Sequence, residues 1–440
     1  MMRRSTNLSS SARDVSHAVT IRVVSVVLLS LLFVGCKTNN LKPIEATTRS
    51  VDLHEPQVFA RSLPDAIAAG VKFLQQSQNP DGSWGTGTVT RGFEVTASVP
   101  GSYEGFQFAT TSLAVMALKQ AGETTAHDKG LEFLLTHGDI RRATGDLIYN
   151  VWAHFYGLQC FAMEMRNNPD PRLRTAALGQ IEKLKRYQTY MGGWNYYDFE
   201  NHTQSPSMGP TSFGTAAGLV ALCEAKRSGI DTDPGFVERS IRRLEEMRLP
   251  DGAYLYSQGL RYMPRHPANT PRGSIGRTQA GNDALIEWGS KKINAELVRA
   301  DLATFFELHN YIEMGRKRPM PHESWYYTAP YYYYFGHYYA SRLLQFMGPV
   351  DRVSFAKELE GTILPHQEPD GSWWDYAMWD YHKPYGTAYS IMILLNCRDA
   401  AKIPVEDADT PRSGPTMELP EPKEAEPLPT TDRFRRFPDK

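Results

Sequence analysis

The chain has 440 residues, 41% of them hydrophobic and 22% charged, with a formal net charge of −1. That length holds one large domain or two ordinary ones, and so balanced a charge leaves no electrostatic footprint for nucleic acid or an anionic surface. Aromatic residues are plentiful, with 23 Tyr, 19 Phe and 8 Trp. They gather in the second half, which points to an aromatic-lined interior or binding surface.

Arg3, Arg4, Arg13 and Arg22 lead into an apolar run from Val23 to Val34. The run is too short to span a bilayer comfortably and suits the apolar core of a secretory signal. It ends in Phe33-Val34-Gly35-Cys36, which resembles the processing box of bacterial lipoproteins. The resemblance implies a signal peptide over residues 1–36 and a lipidated Cys36. It also implies export and attachment to a membrane through the N-terminal lipid. Lys37, where Asp would retain the protein, is compatible with sorting to the outer membrane. An uncleaved single anchor is the alternative, and it also exports the chain. Residues 37–60 read as a linker.

The stretch Gln78–Gly85, QNPDGSWG, returns as QEPDGSWW over Gln367–Trp374. A weaker copy is QTYMGGW, Gln188–Trp194, and a degenerate one is RLPDGAY, Arg248–Tyr254. In the first three, Gly follows Gln by four and Trp follows Gly by two: Gln78, Gly82, Trp84; Gln188, Gly192, Trp194; Gln367, Gly371, Trp373. Pro-Asp-Gly is a turn with a mechanism, since Pro presets φ and Gly accepts φ > 0. Before each turn lies an amphipathic helical pattern, as at Leu63, Ile67, Val71 and Leu74. After it lies a second helix type, almost continuously apolar, as in FGTAAGLVALCEAKRSG and YGTAYSIMILLNC. Six such pairs fill residues 61–400. The amphipathic members keep a wet face and form an outer ring, and the apolar members form an inner one. The fold class expected is all-α, an α/α toroid of about six helical hairpins around a central cavity.

The spacing Gly70-x-x-Phe73-Leu74-x3-Gln78-x3-Gly82-x-Trp84 resembles the QW repeat of squalene–hopene cyclases and related terpenoid cyclases. Protein prenyltransferase β subunits share that toroid. The resemblance implies that Gln and Trp tie one hairpin to the next and speak of architecture. The catalytic signatures are a separate matter. Neither DxDD nor DDxxD occurs. Gly276–Asp283, GRTQAGND, resembles the diphosphate and zinc segment of the prenyltransferases, with Asp283 as the zinc Asp. Leu285 stands where that family has Cys, Gly386 where it has the zinc His, and Ala280 where it has a diphosphate Lys. One carboxylate does not hold zinc. No metal and no cofactor is therefore assigned. The Gly-Cys-x-Glu-Gln stretch of thioester toroids is missing as well.

In such a fold the starts of the inner helices face the cavity mouth. That selects Thr110, Asn150, His154, Thr211, Asp283, His337, Asp380 and His382. Asp380 and His382 flank Tyr381 in WDYHKPYG, the most site-like short stretch, and with Asp283 they are the candidate catalytic residues. Tyr332, Tyr334, His337, His154 and Trp379 are the candidate ligand-binding residues. The tyrosine run Ser324–Tyr339 lacks helical periodicity. Its phenols suit the lining of a ligand site, and an extended loop that plugs the ring is the alternative, while YFGHYYASRLLQFMG from Tyr334 onward reads as one of the apolar inner helices. Asp146, Asp283 and Asp380 could form a carboxylate pair for glycoside hydrolysis. Cys160, Cys223 and Cys397 sit in apolar segments without CxxC spacing and read as buried thiols. Residues 401–440 are Pro/Glu-rich and read as a disordered tail. The leading expectation is a lipid-anchored envelope protein binding an apolar, isoprenoid-like ligand. The alternatives are a carbohydrate-active enzyme or a structural, partner-binding lipoprotein. A cyclase with an unusual acid such as Asp380 stays open.

Overall fold

The structure, a computed structural model, describes residues 61–88, 102–141, 149–198 and 209–402. The expected signal peptide with Cys36, the expected linker, Asp146 and the chain beyond Lys402 lie outside the described residues. Among the described residues, twelve long helices alternate between an outer and an inner ring. The outer helices are α1 (Leu63–Ser77), α3 (Thr125–His137), α5 (Pro171–Tyr187), α7 (Pro234–Met247), α9 (Ala295–Glu307) and α12 (Pro349–Ile363). The inner helices are α2 (Ser102–Ala121), α4 (Trp152–Met165), α6 (Ser212–Arg227), α8 (Pro271–Glu287), α11 (Tyr332–Leu343) and α13 (His382–Ala400). A one-turn helix, α10 (Asn310–Glu313), joins α9 to the segment before α11. Two-residue strands β1 (Tyr149–Asn150) and β2 (Tyr197–Asp198) pair antiparallel across the loops before α4 and α6.

Each inner helix packs on the next, and α13 packs back on α2. The ring is closed, as the α/α toroid requires. Local chemistry starts the outer helices. Asp170 and Asp233 cap α5 and α7 by accepting from Arg172 N at 2.8 Å and Gly235 N at 2.9 Å, each followed by Pro at the first turn. The inner helices are buried nearly all round, as α6 shows from Ser212 to Ala225. Cys160, Cys223 and Cys397 are free and buried within them.

The tyrosine run is helical from Tyr332, where the inner helix α11 begins, two residues before the apolar stretch that marked it, and the extended-loop alternative does not hold there. An inner helix meets neighbours on every side, so it shows no polar face and no amphipathic period to read.

The repeated Gln, Gly and Trp act across the seams between hairpins. Gln78 Nε2 donates to Ala126 O on α3 at 2.8 Å, Gln188 Nε2 to Phe236 O on α7 at 2.8 Å, and Gln367 Nε2 to Ala66 O on α1 at 2.9 Å. The third bond joins the last hairpin to the first outer helix. Trp84, Trp194 and Trp373 are fully buried, and each indole N–H donates to the last turn of the preceding outer helix, at Leu74, Leu184 and Ile363 O. Their backbone N–H groups donate to Thr111, Thr215 and Thr387 Oγ1 on the inner helices. In the degenerate copy Tyr254 replaces Trp and donates to Ser274 Oγ at 2.8 Å, while Arg248 replaces Gln and pairs with Asp301. Gly371 holds φ +89, and a Cβ there would lie 2.5 Å from Ala69 O, so no other residue fits the turn. Gln367→Ala is expected to cost about 1–3 kcal/mol of unfolding free energy, because Ala66 O and Gly371 O both lose its amide. Denaturant unfolding measures it.

Candidate ligand cavity

The starts of the inner helices converge on a cavity of about 340 Å³. Phe106, Ala109, Thr110 and Leu113 of α2 form one wall, and Trp152 and Tyr156 of α4 the next. Tyr332 and Phe335 of α11 and Tyr385 and Tyr389 of α13 face them. Tyr196, Tyr331, Tyr376, Met378, Trp379 and the segment Met320–His322 complete the described lining. Trp152 stacks on Tyr156 with centroids 5.5 Å apart and meets Phe335 edge-on at 5.7 Å. Trp379 lies at φ +39, a sparsely populated backbone region for a bulky residue, and packs on Phe106.

Below the cavity lies a layer of tyrosines. Tyr389 donates its hydroxyl to Tyr156, and Gln159 Nε2 donates to Tyr338 OH at 2.9 Å. The Tyr338 and Tyr389 rings are 5.1 Å apart. Tyr156 and Tyr389 face the cavity and Tyr338 faces a polar pit of about 310 Å³ at the opposite ends of the inner helices. The tyrosine-rich helix thus both lines the cavity and floors it.

The pit is built on an ion network. Arg342 Nε meets Asp283 Oδ2 at 2.6 Å, and its Nη2 meets Glu224 Oε1 and Glu287 Oε1 at 3.2 Å each. Arg227 pairs with Glu287 and Glu224, and Arg166 with Glu224. Cations at helix C-termini offset the negative ends of the helix dipoles.

The structure separates the candidate site residues. Tyr332 and Trp379 line the cavity. Tyr334 is buried beside it, with its backbone N–H on Asp375 Oδ2 at 3.2 Å. His154 turns outward to α5, its Nδ1 2.6 Å from Gln180 Oε1, and burial pushes its pKa down to about 4. His337 turns to α9, its Nε2 3.0 Å from His309 Nε2, and burial holds it well below the ordinary range. His382 opens α13 with Nδ1 on Trp379 O, and Asp380 accepts from Thr86 Oγ1 at 2.7 Å. Asp283 is fully buried in the pit's network, where burial raises its pKa to about 6 against the pull of Arg342. The three histidines do not converge. Among the described residues no group of three or more His, Cys, Asp or Glu is placed to hold a metal ion.

Asp375 is the ionisable residue that sequence reasoning passes over. It lies two residues after the repeat Trp373, where the other copies have Thr86 and Tyr196. It is fully buried, and the hydroxyl of the cavity-lining Tyr385 donates to its Oδ1. Burial raises its pKa to about 7. Asp375 is thus a proton-holding group one hydrogen bond behind the cavity wall.

No protein-family model matches the chain, and no curated protein does either. Solved structures do. The cellobiose 2-epimerase of Bacillus thermoamylovorans B4167 superposes with a TM-score of 0.50 at 10% identity, over 75% of this chain and 98% of that one. The GH76A α-1,6-mannanase of Salegentibacter sp. HEL1_6 gives 0.50 at 9% identity, over 77% and 100%. The type II terpene cyclase MstE of Scytonema gives 0.47 at 15% identity, over 77% and 97%. At these identities the likeness concerns the fold alone. This chain is an α/α toroid, with an aromatic cavity at one end of the ring and a charged pit at the other.

Proposed function

We propose that this chain is an exported, lipid-anchored protein of the cell envelope that binds an apolar, isoprenoid-like ligand in its aromatic cavity. One observation carries the reading: the described lining is almost wholly aromatic and aliphatic, and no Asp, Glu, Lys or Arg is part of it. Such a wall gains about 25 cal/mol for each Å² of apolar ligand surface it covers. Glycoside hydrolysis needs two carboxylates flanking the scissile bond, and the described lining supplies none. Asp375 behind Tyr385 gives the cavity a place to hold a proton, so acid–base chemistry on the bound ligand is the second reading.

Binding is tested by titrating the full chain in detergent with a fluorescent farnesyl probe. Ala109 is a small residue of the α2 wall. Ala109→Trp fills the space and is expected to weaken binding about tenfold or more, ~1.4 kcal/mol. Equal binding by the two proteins contradicts the reading. Export rests on the N-terminal sequence. Cys36→Ser is expected to abolish incorporation of labelled palmitate and to release the chain from the membrane fraction. A label retained by the variant removes the lipid anchor from the account.

A further inference from the structure

The pit at the far end of the ring has one arginine too many. Arg166, Arg227 and Arg342 are matched by Glu224, Glu287 and Asp283. Arg352 is the fourth arginine of the lining, and among the described residues it forms no ion pair with a carboxylate. Asp399, the remaining lining carboxylate, pairs with Arg398 and Lys402. Arg352 is only 4% exposed. Its Nη2 donates to Met347 O at 2.9 Å, and its buried Nε and Nη1 have no partner among the described residues. It also stands in the first turn of α12, after Gly348, which supplies no side-chain cap. A cation is disfavoured at that end of a helix. A buried charge without a counter-charge, with unsatisfied donors as well, is costly and calls for a partner.

We propose that the pit is a binding site for a small phosphate-bearing anion, held by Arg352. The site is distinct from the aromatic cavity, from which the tyrosine layer divides it. A phosphate oxygen takes the free guanidinium N–H groups in charge-assisted hydrogen bonds. The three paired arginines balance the acids around it, so the ligand's charge falls to Arg352. The phosphate belongs either to a free solute or to a lipid headgroup.

Isothermal titration of the full chain in detergent tests this, with inorganic phosphate and glycerol phosphate as probes and chloride at matched ionic strength as control. Saturable binding with Kd of about 1 mM or tighter is expected. Arg352→Leu is expected to weaken it about tenfold or more, and Arg352→Lys to retain part of it. Asn396 lines the same pit. Asn396→Asp keeps the shape and supplies a carboxylate from within, so it is expected to displace the phosphate without loss of fold. Glycerol phosphate bound without inorganic phosphate assigns the source to a headgroup. Neither probe bound, or wild type, Arg352→Leu and Asn396→Asp binding alike, overturns the proposal.

Discussion

Trp373→Ala is expected to cost about 3–5 kcal/mol of unfolding free energy, the range for a large aromatic removed from a packed interior. Trp373 is fully buried where the last hairpin meets the first. A Cβ on Gly70 of α1 would lie 2.9 Å from Trp373 Cζ3, so the ring rests directly on that helix. Its indole N–H holds Ile363 O and its backbone N–H holds Thr387 Oγ1. The substitution therefore removes packing between α12, α13 and α1 together, and it leaves Ile363 O without that donor. One of the contacts that close the ring across the ends of the chain is lost with it, beside the bond from Gln367 to Ala66 O. Tyr190, in the equivalent turn of the middle repeat, is 79% exposed, and its replacement by Ala is expected to fall within about 0.5 kcal/mol of wild type. Denaturant unfolding of both variants makes the comparison. A loss under about 1 kcal/mol at Trp373 would mean that the seam does not hold the ring shut.

Asp375→Asn is expected to change how stability depends on pH. The folded carboxyl titrates near pH 7 because it is buried, against an ordinary value of 3.8. Between those two values the folded chain holds a proton that the unfolded chain has released. Stability from this group is therefore present at low pH and is lost as pH rises through about 4 to 7. Asn cannot titrate and carries no such penalty. The difference in unfolding free energy is thus expected to swing toward the variant between acid and mildly alkaline pH. Its size is on the order of 4 kcal/mol. Comparing the two proteins pH by pH cancels the other groups, Asp283 among them, whose pKa is also raised, to about 6. A difference that stays flat with pH would show that Asp375 ionises normally, and the acid–base reading would go with it.

The architecture was legible because its signals are local. A Pro-Asp-Gly turn needs fixed positions, and Gln and Trp must stand at fixed offsets from it to reach the next helix. Gly82, Gly192 and Gly371 all take positive φ in that turn. The last copy's likeness to the first announced the closed ring, and Gln367 on Ala66 O is the bond that closes it. The apolar stretch from Tyr334 marked an inner helix, but no period assigned Tyr332 and Tyr333 to it, because a helix buried on all sides has no polar face.

The site was less legible, for a geometric reason. Sequence marks where a helix starts and leaves open which way each side chain turns. His154 and His337 stand on inner helices, yet both turn away from the ring's axis, to Gln180 and to His309. Asp375 hides behind an architectural Trp, and only burial gives it its pKa. Arg166, Arg227 and Arg342 are far apart in the chain and stand near helix C-termini, where basic residues are ordinary, and Arg352 stands in the first turn of α12. Closure of the ring brings them to one pit.

Native mass spectrometry of the full chain, extracted from its own membranes in mild detergent, shows whether the cavity carries a ligand. A bound apolar species is expected on the wild type, recovered by lipid extraction and missing from Ala109→Trp. A wild-type chain that carries no such mass and takes up no farnesyl probe would contradict the proposed binding.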